Sequence, residues 1–261
     1  MNATEGVAAA VLIIGDEILS GRTQDVNLAA IASFLATHGV DLAEARIIGD
    51  ERAEIIAALR ALRDRYDYVL TTGGIGPTHD DITADCVAEV SEAPLYEHPE
   101  ILAILEARWP DELTPARRRM ARVPNGSELI KNPLGGPPGF LIDNVFVLAG
   151  VPQVMRGMLS DVGWRLKGGA VVMSRTVRVD GVGEGLIAAP LERVAAAHPA
   201  LSLGSYPYFS EAGYGSNLVL RGRDADELAF TVAELVDTLS ASGITSILID
   251  PPAVTSRATS G

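Results

Sequence analysis

The chain of 261 residues has a single cysteine, Cys86. That excludes an internal disulfide and any cysteine-based zinc cluster, and it fits a reducing compartment. Aromatic residues are scarce, at 5%, so the 48% of hydrophobic residues must build an aliphatic core of Ala, Val, Leu and Ile. Positive charge is also short. Lys and Arg number 21 against 34 Asp and Glu, for a formal net charge of −13. Such a chain is a poor counterion for nucleic acid or an anionic membrane, and neither is expected as a partner. No apolar stretch reaches the roughly 20 residues that cross a bilayer. The opening MNATEGVAAAVLIIGDE carries no basic region. It reads as a first strand, not a signal peptide, and the expected location is cytoplasmic. If this acidic chain binds phosphate, it must use backbone N–H groups, a few local cations, or a metal held by carboxylates.

Residues 7–14 form a continuous apolar run, the pattern of a strand buried on both faces. A helix is predicted over 25–38, where Leu28, Ile31, Phe34 and Leu35 recur at helical spacing and Gly39 follows as a cap. A strand is predicted over 41–48. A helix over 51–65 follows, capped by Asp50, with Ile55, Ile56, Leu59 and Leu62 on its inner face. Tyr68, Val69 and Leu70 give a third strand, and another helix is placed near Asp80. Strands alternating with helices imply a parallel sheet with right-handed crossovers. Residues 94–126 read as helical and charged. Extended chain is expected over 140–149, with a turn at Asp143-Asn144, before a helix from Pro152 to about 164.

After Lys167-Gly168-Gly169 the strands alternate. Extended segments at 170–179, 201–209, 214–221 and 244–249, with helices at 184–197 and 224–241, give the order β-α-β-β-α-β of a ferredoxin-like unit. The fold class read from the chain is therefore α/β: a domain on a parallel sheet over 7–167, then a smaller α+β ferredoxin-like unit over 168–250. Residues 251–261 are expected to be a disordered tail.

In open parallel sheets ligands sit beyond the carboxyl ends of the strands, near a switch in strand order. Two polar clusters follow strands directly: Gly15-Asp16-Glu17, and Thr71 to Asp81. In the second, Gly73, Gly74 and Gly76 let backbone approach a ligand without a Cβ in the way. Successive N–H groups there can form an anion-binding nest, aided by the helix end that follows. Thr71, Thr72 and Thr78 can donate hydroxyl hydrogen bonds to phosphate oxygens. A tight turn with glycines for geometry alone is the alternative.

Asp80 and Asp81 can hold Mg²⁺ together with substrate phosphates, or one of them can cap a helix; Asp16 and Glu17 face the same choice. His79 reads as an exposed turn residue, Cys86 as a small buried one, and the run Arg117-Arg118-Arg119 as a solvated face. The Pro/Gly-rich segment Asn132–Gly139 is a rigid lid, a binding loop or a connector. Lys131 beside it is the cation placed near a phosphate.

Taken together, Gly15-Asp16-Glu17-Ile18-Leu19-Ser20-Gly21, Asp25, Asn27 and Thr71–Thr83 resemble the molybdopterin-binding (MoaB/Mog) domain family, closest to the N-terminal part of the competence/damage-inducible CinA proteins. The pattern continues through Asn132, Gly135, Pro138-Gly139-Phe140 and Gly150-Val151-Pro152 with Met155. Gly181-Val182-Gly183-Glu184 is similar to the start of the CinA middle region.

The resemblance implies a three-layer α/β domain on a parallel (mixed) sheet over 7–167. With the residue chemistry above, it gives a ligand site made of Gly15, Glu17, Ser20, Asn27, Thr71, Thr72, Gly73, Gly74, Gly76, Pro77, Thr78, Thr83, Lys131, Asn132, Gly139 and Pro152. Asp16, Asp80 and Asp81 are the implied catalytic carboxylates, Asp80 and Asp81 with the divalent metal. It implies one of two chemistries. Mog-type domains bind the pterin dithiolene and adenylylate it; CinA-type domains are similar to metal-dependent ADP-ribose pyrophosphatases. It also implies a homo-oligomer, trimeric in the Mog branch and dimeric in the CinA branch. This chain has Val154 where the CinA-like pattern has Glu, Gly136 where it has Thr, and Gly185 where it has Ser. The amidohydrolase domain that deamidates nicotinamide mononucleotide in full CinA proteins is not part of the match, and that activity is not carried over.

Overall fold

The computed structural model describes residues 6–211 and 213–249; the tail expected over 251–261 lies outside them. The chain divides into two compact units between Val171 and Val172. The first comprises β1 (Val7–Ile14), α1 (Asp16–Leu19), α2 (Asn27–Thr37), β2 (Val40–Ile48), α3 (Arg52–Arg63), β3 (Tyr68–Thr72) and α4 (Thr83–Val90). It continues through β4 (Leu95–Glu97), α5 (Pro99–Arg108), α6 (Pro115–Arg119), β5 (Arg122–Pro124), β6 (Glu128–Ile130), β7 (Gly139–Ile142), β8 (Val145–Leu148) and α7 (Pro152–Val162).

Six strands form one sheet in the order β2-β1-β3-β8-β7-β6. The neighbours β2, β1, β3 and β8 pair in parallel, and β7 is antiparallel to both β8 and β6. The continuous apolar run of β1 is explained by burial on both faces. Ala10, Leu12 and Ile14 pack with Ile55, Leu59, Leu62, Cys86 and Ile101 on one side. Ala9, Val11 and Ile13 pack with Ile31, Leu35, Met155 and Leu159 on the other. The domain is thus three-layered, with α3, α4 and α5 over one face and α2 and α7 over the other. The chain leaves β1 for β2 on one side and returns to β3 on the other, so the strand order switches between the carboxyl ends of β1 and β3.

Three expectations change. Residues 94–126 are not continuous helix: α5 and α6 are short and are flanked by the paired strands β4 and β5. Asp50 does not cap α3, whose N-cap is Glu51 without a side-chain bond. The helix placed near Asp80 begins instead at Thr83, because Asp81 is drawn back into the preceding loop. The turn at Asp143-Asn144 is present, with Asp143 at a φ of 52°.

The second unit comprises β9 (Met173–Asp180), α8 (Glu184–Ala197), β10 (Ser202–Ser210), β11 (Gly213–Gly222), α9 (Ala225–Ala241) and β12 (Ser246–Ile249). Its strands are antiparallel in the order β10-β11-β9-β12, the arrangement of a ferredoxin-like sheet. Alternation has its reason here: Val177, Val179, Leu218 and Leu220 pack into one core with Ile187, Leu228 and Leu235 of α8 and α9. Asp224 caps α9 by accepting from Asp226 N–H and Glu227 N–H. No helix among the described residues is long and apolar enough to cross a membrane.

Candidate functional site

A cleft of about 640 Å³ lies at the switch between β1 and β3 in the first unit. The loop after β3 forms its floor. Gly73 has a φ of 101°, and a Cβ there would lie 2.1 Å from Ile14 O; Gly74 has a φ of 68°. Both features demand glycine. The loop closes on itself, since Thr83 N–H donates to Gly74 O and the Thr83 hydroxyl to Gly73 O. This leaves the Gly74 and Ile75 N–H groups without a partner among the described residues. Across the cleft, α7 presents an N-terminus with no side-chain cap, and Gly150, Val151, Pro152 and Val154 line the wall. Asn27, only 4% exposed, fixes that wall: its Nδ2 donates to Gly150 O at 2.8 Å.

The expected residues are not all used as expected. Gly15, Glu17, Gly73, Gly74, Gly76, Asp80, Asp81, Asn132 and Pro152 line the cleft together. Asp81, however, turns its carboxylate onto the loop. Oδ1 accepts from Gly76 N–H at 2.7 Å, and Oδ2 from Thr78 N–H at 2.7 Å and Thr78 Oγ1 at 2.5 Å. Half of the predicted nest is therefore occupied by the protein's own anion, and Thr78 serves Asp81. Pro77 sits in that same turn, outside the cleft lining.

Thr71 and Thr72 are 0% and 1% exposed in β3, and Thr83 is fully buried. Their hydroxyls face protein, not the cleft. Asp16 and Asp50 exchange bonds: Asp16 N–H donates to Asp50 Oδ2 at 2.9 Å and Asp50 N–H to Asp16 Oδ1 at 3.4 Å. Ser20 donates to Glu17 O and accepts from Arg22, outside the lining. Gly139 starts β7, where a Cβ would lie 2.3 Å from Val147 O; its role is strand packing. Asn132 organises its own loop, donating to Pro137 O and accepting from Leu134 N–H. Lys131 lines a separate pocket of about 420 Å³ with Glu100, Ile104 and Ser160.

The sequence reading missed Asp50, Arg108, Trp109, Met120 and Arg119. Of the arginine run, Arg117 pairs with Glu112 and Arg118 with Glu97. Arg119 instead lines a small cavity behind the loop with Gly74, Ile75, Gly76 and Asp81, and its buried Nε has no hydrogen-bond partner. The sequence carries no signal for it, since Arg119 reaches the glycine loop only through the fold.

The electrostatics are uneven. Asp50 is pushed up from the usual carboxylate range, first by burial and then by the charges of Asp16, Glu17 and Asp80. Asp80 is held down, chiefly by the neighbouring Thr78 hydroxyl. His79 is exposed, 3.8 Å from Asp80 Oδ1. Among the described residues no three His, Cys, Asp or Glu converge to hold a metal ion. A cation here would take only one or two carboxylates, with ligand and water oxygens completing its shell, as Mg²⁺ does beside phosphates. The crowding of like charges around Asp50 fits such a guest.

Residues 10–167 match the family described as "Probable molybdopterin binding domain", and residues 171–247 that described as "FAD synthase, middle domain". A CinA-like protein of Gemmatimonas aurantiaca is 37% identical over 200 residues, which are 71% of this chain and 47% of that one. One from Thermosynechococcus vestitus is 30% identical over 237 residues, 85% and 55% of the two chains. The chain thus spans about half the length of these relatives. A crystal structure of a CinA protein of unknown function from Thermoplasma acidophilum is 33% identical, with a TM-score of 0.59, over 62% of this chain and 99% of that one.

Proposed function

Because the chain belongs to the probable molybdopterin-binding domain family, we propose that its cleft binds a nucleotide or pterin phosphate and cleaves the phosphoanhydride with the help of a divalent cation. The observation that carries this is the pairing of unlike walls: the free Gly74 and Ile75 N–H groups and the uncapped end of α7 face Glu17, Asp50 and Asp80 across one cleft. Amides and a helix N-terminus attract phosphate oxygens. Carboxylates do not, unless a cation stands between.

Glu17 and Asp80 are the residues that would hold the cation, which would neutralise charge on the phosphates. The chain's own groups do the rest. The loop amides orient the phosphates, and Arg119 adds positive charge behind the loop. Asp50, with its pKa raised by burial, accepts the proton of the attacking water. The new P–O bond forms as the bridging P–O bond breaks, and the leaving phosphate departs with its electron pair.

A second reading, a module that holds the ligand without turnover, is favoured by Val154 and Gly136. Both line the cleft where the CinA-like pattern has Glu and Thr. Incubation of the full chain with ADP-ribose and Mg²⁺ separates the two. Appearance of AMP and ribose 5-phosphate supports the enzyme. Calorimetric binding without product supports the module, and neither binding nor product removes both.

A further inference from the structure

A pyrophosphate group fills only a small part of 640 Å³, a volume typical of clefts that take ligands of drug size. The amides and carboxylates account for one part of the lining. Resting on the reading that the cleft takes a phosphoanhydride, we propose that Trp109 and Met120 form the platform for a planar heteroaromatic ring at the ligand's other end, with Arg108 as its positioning residue.

Trp109 is one of two tryptophans in a chain poor in aromatics, and it stands half-buried in the wall of this acidic cleft. Its inner side packs on the core beside Met120. The indole is fixed in place. The Arg117 guanidinium lies 4.7 Å from the ring centroid and that of Arg108 5.2 Å. Arg117 is in turn held by the Glu112 carboxylate at 2.8 Å and the Glu112 carbonyl at 2.7 Å. An aromatic face held this way is organised before the ligand arrives, so little entropy is lost on stacking. The Met120 thioether beside it is polarisable and suits an aromatic neighbour. Arg108 also donates from Nη1 to Gly135 O at 2.9 Å. It therefore ties the aromatic wall to the Asn132–Gly139 segment, which reaches the same cleft through Asn132, Gly136 and Pro137. A ring between these walls meets the apolar surface of Trp109, Met120 and Pro137, which suits the faces of an adenine or a pterin.

The test uses the full chain carrying Trp164→Phe. Trp164 is 71% exposed and outside the cleft, so this change leaves Trp109 as the single indole reporter. Adenosine, pterin, inorganic pyrophosphate and ADP-ribose are titrated in turn. The ring-bearing probes quench Trp109 and pyrophosphate does not. In calorimetry Trp109→Leu, which keeps apolar volume but no π face, weakens ADP-ribose about tenfold or more and leaves pyrophosphate unchanged; Trp109→Phe restores most of the loss. Arg108→Ala gives a smaller loss of the same kind. The platform is refuted if none of the ring-bearing probes quenches Trp109, or if Trp109→Leu weakens pyrophosphate and ADP-ribose equally. Failure of the phosphoanhydride reading looks different: pyrophosphate then does not bind, while adenosine or pterin still quenches Trp109.

Discussion

Asp81 Oδ1 accepts the Gly76 N–H at 2.7 Å, so the carboxylate that follows the glycine loop holds the loop's own shape. With the two bonds from Thr78, three donors converge on one side chain. This arrangement gives Asp81 a role that needs no metal.

The expected outcome for Asp81→Ala is a loosened loop. ADP-ribose affinity falls about tenfold, and stability falls by about 1 kcal/mol from the lost hydrogen bonds. The loss is the same with and without Mg²⁺. Calorimetry in both conditions checks it. A loss seen only with Mg²⁺ would make Asp81 a metal ligand instead of a loop clamp.

Gly74 is more constrained than its place in a surface loop suggests. A Cβ there would lie 2.2 Å from Thr83 Oγ1, and Thr83 is fully buried. Gly74→Val combines this clash with a φ of 68°, unfavourable for any β-branched residue. We expect the variant to lose roughly 2–4 kcal/mol of stability together with ligand binding. Thermal melting beside titration with pyrophosphate reads both; a variant with an unchanged melting curve contradicts the packing argument.

Much of this was legible in the sequence. The two-sided burial of Ala9 to Ile14 and the alternation of Val177 and Val179 follow from periodicity, and Gly73 and Gly74 follow from the strand-to-loop transition. What could not be read is partner choice. Nothing in the spacing says that Asp81 turns back onto Gly76, that Asp50 serves Asp16 and not α3, or that the Thr71 and Thr72 side chains are buried in the protein. Trp109 and Arg119 are brought to the site by the turns between short elements, and the run 94–126 looked like continuous helix because its strands β4 and β5 are three residues each.

Asp50 gives a trade between stability and turnover. Its folded-state pKa is raised, so its ionised form is less favourable in the folded chain than in the unfolded one. The stability it contributes is full below its unfolded value near 3.8 and is lost as pH rises through the folded one. At neutral pH the charge is a cost. Asp50→Asn removes that cost, and its amide oxygen can still accept the Asp16 N–H. We expect a higher melting temperature near neutral pH, no gain at pH values below 3.8, and loss of any ADP-ribose turnover. Wild-type turnover should decline as the pH drops through the raised Asp50 value. A variant that still turns over at the wild-type rate removes Asp50 as the proton acceptor.

Arg119, and not Lys131, is the cation expected to serve the phosphate. Lys131 looked suited from its position beside the Pro/Gly segment, but it lines a different pocket with Glu100 and Ser160. Arg119 lies behind Gly74, Ile75 and Gly76, forms no ion pair with any described residue, and buries an Nε without a partner. An unpaired guanidinium next to free loop amides attracts an anion, because a charge-assisted bond to phosphate is about twice as strong as a neutral one. Removing it should weaken pyrophosphate binding by roughly ten- to a hundredfold. It should also flatten the salt dependence of binding, since one screened charge pair is gone. Stability should change little, because the deletion also removes an unsatisfied buried donor. Arg119→Lys keeps the charge but not the fork, so it should fall between. Lys131→Ala should bind pyrophosphate as the unaltered chain does. Calorimetric titration of the three variants at two salt concentrations reads every term. Equal binding in Arg119→Ala and the unaltered chain, or a loss confined to Lys131→Ala, would move the phosphate away from the loop, and with it the assignment of Gly74 and Ile75 as its amide donors.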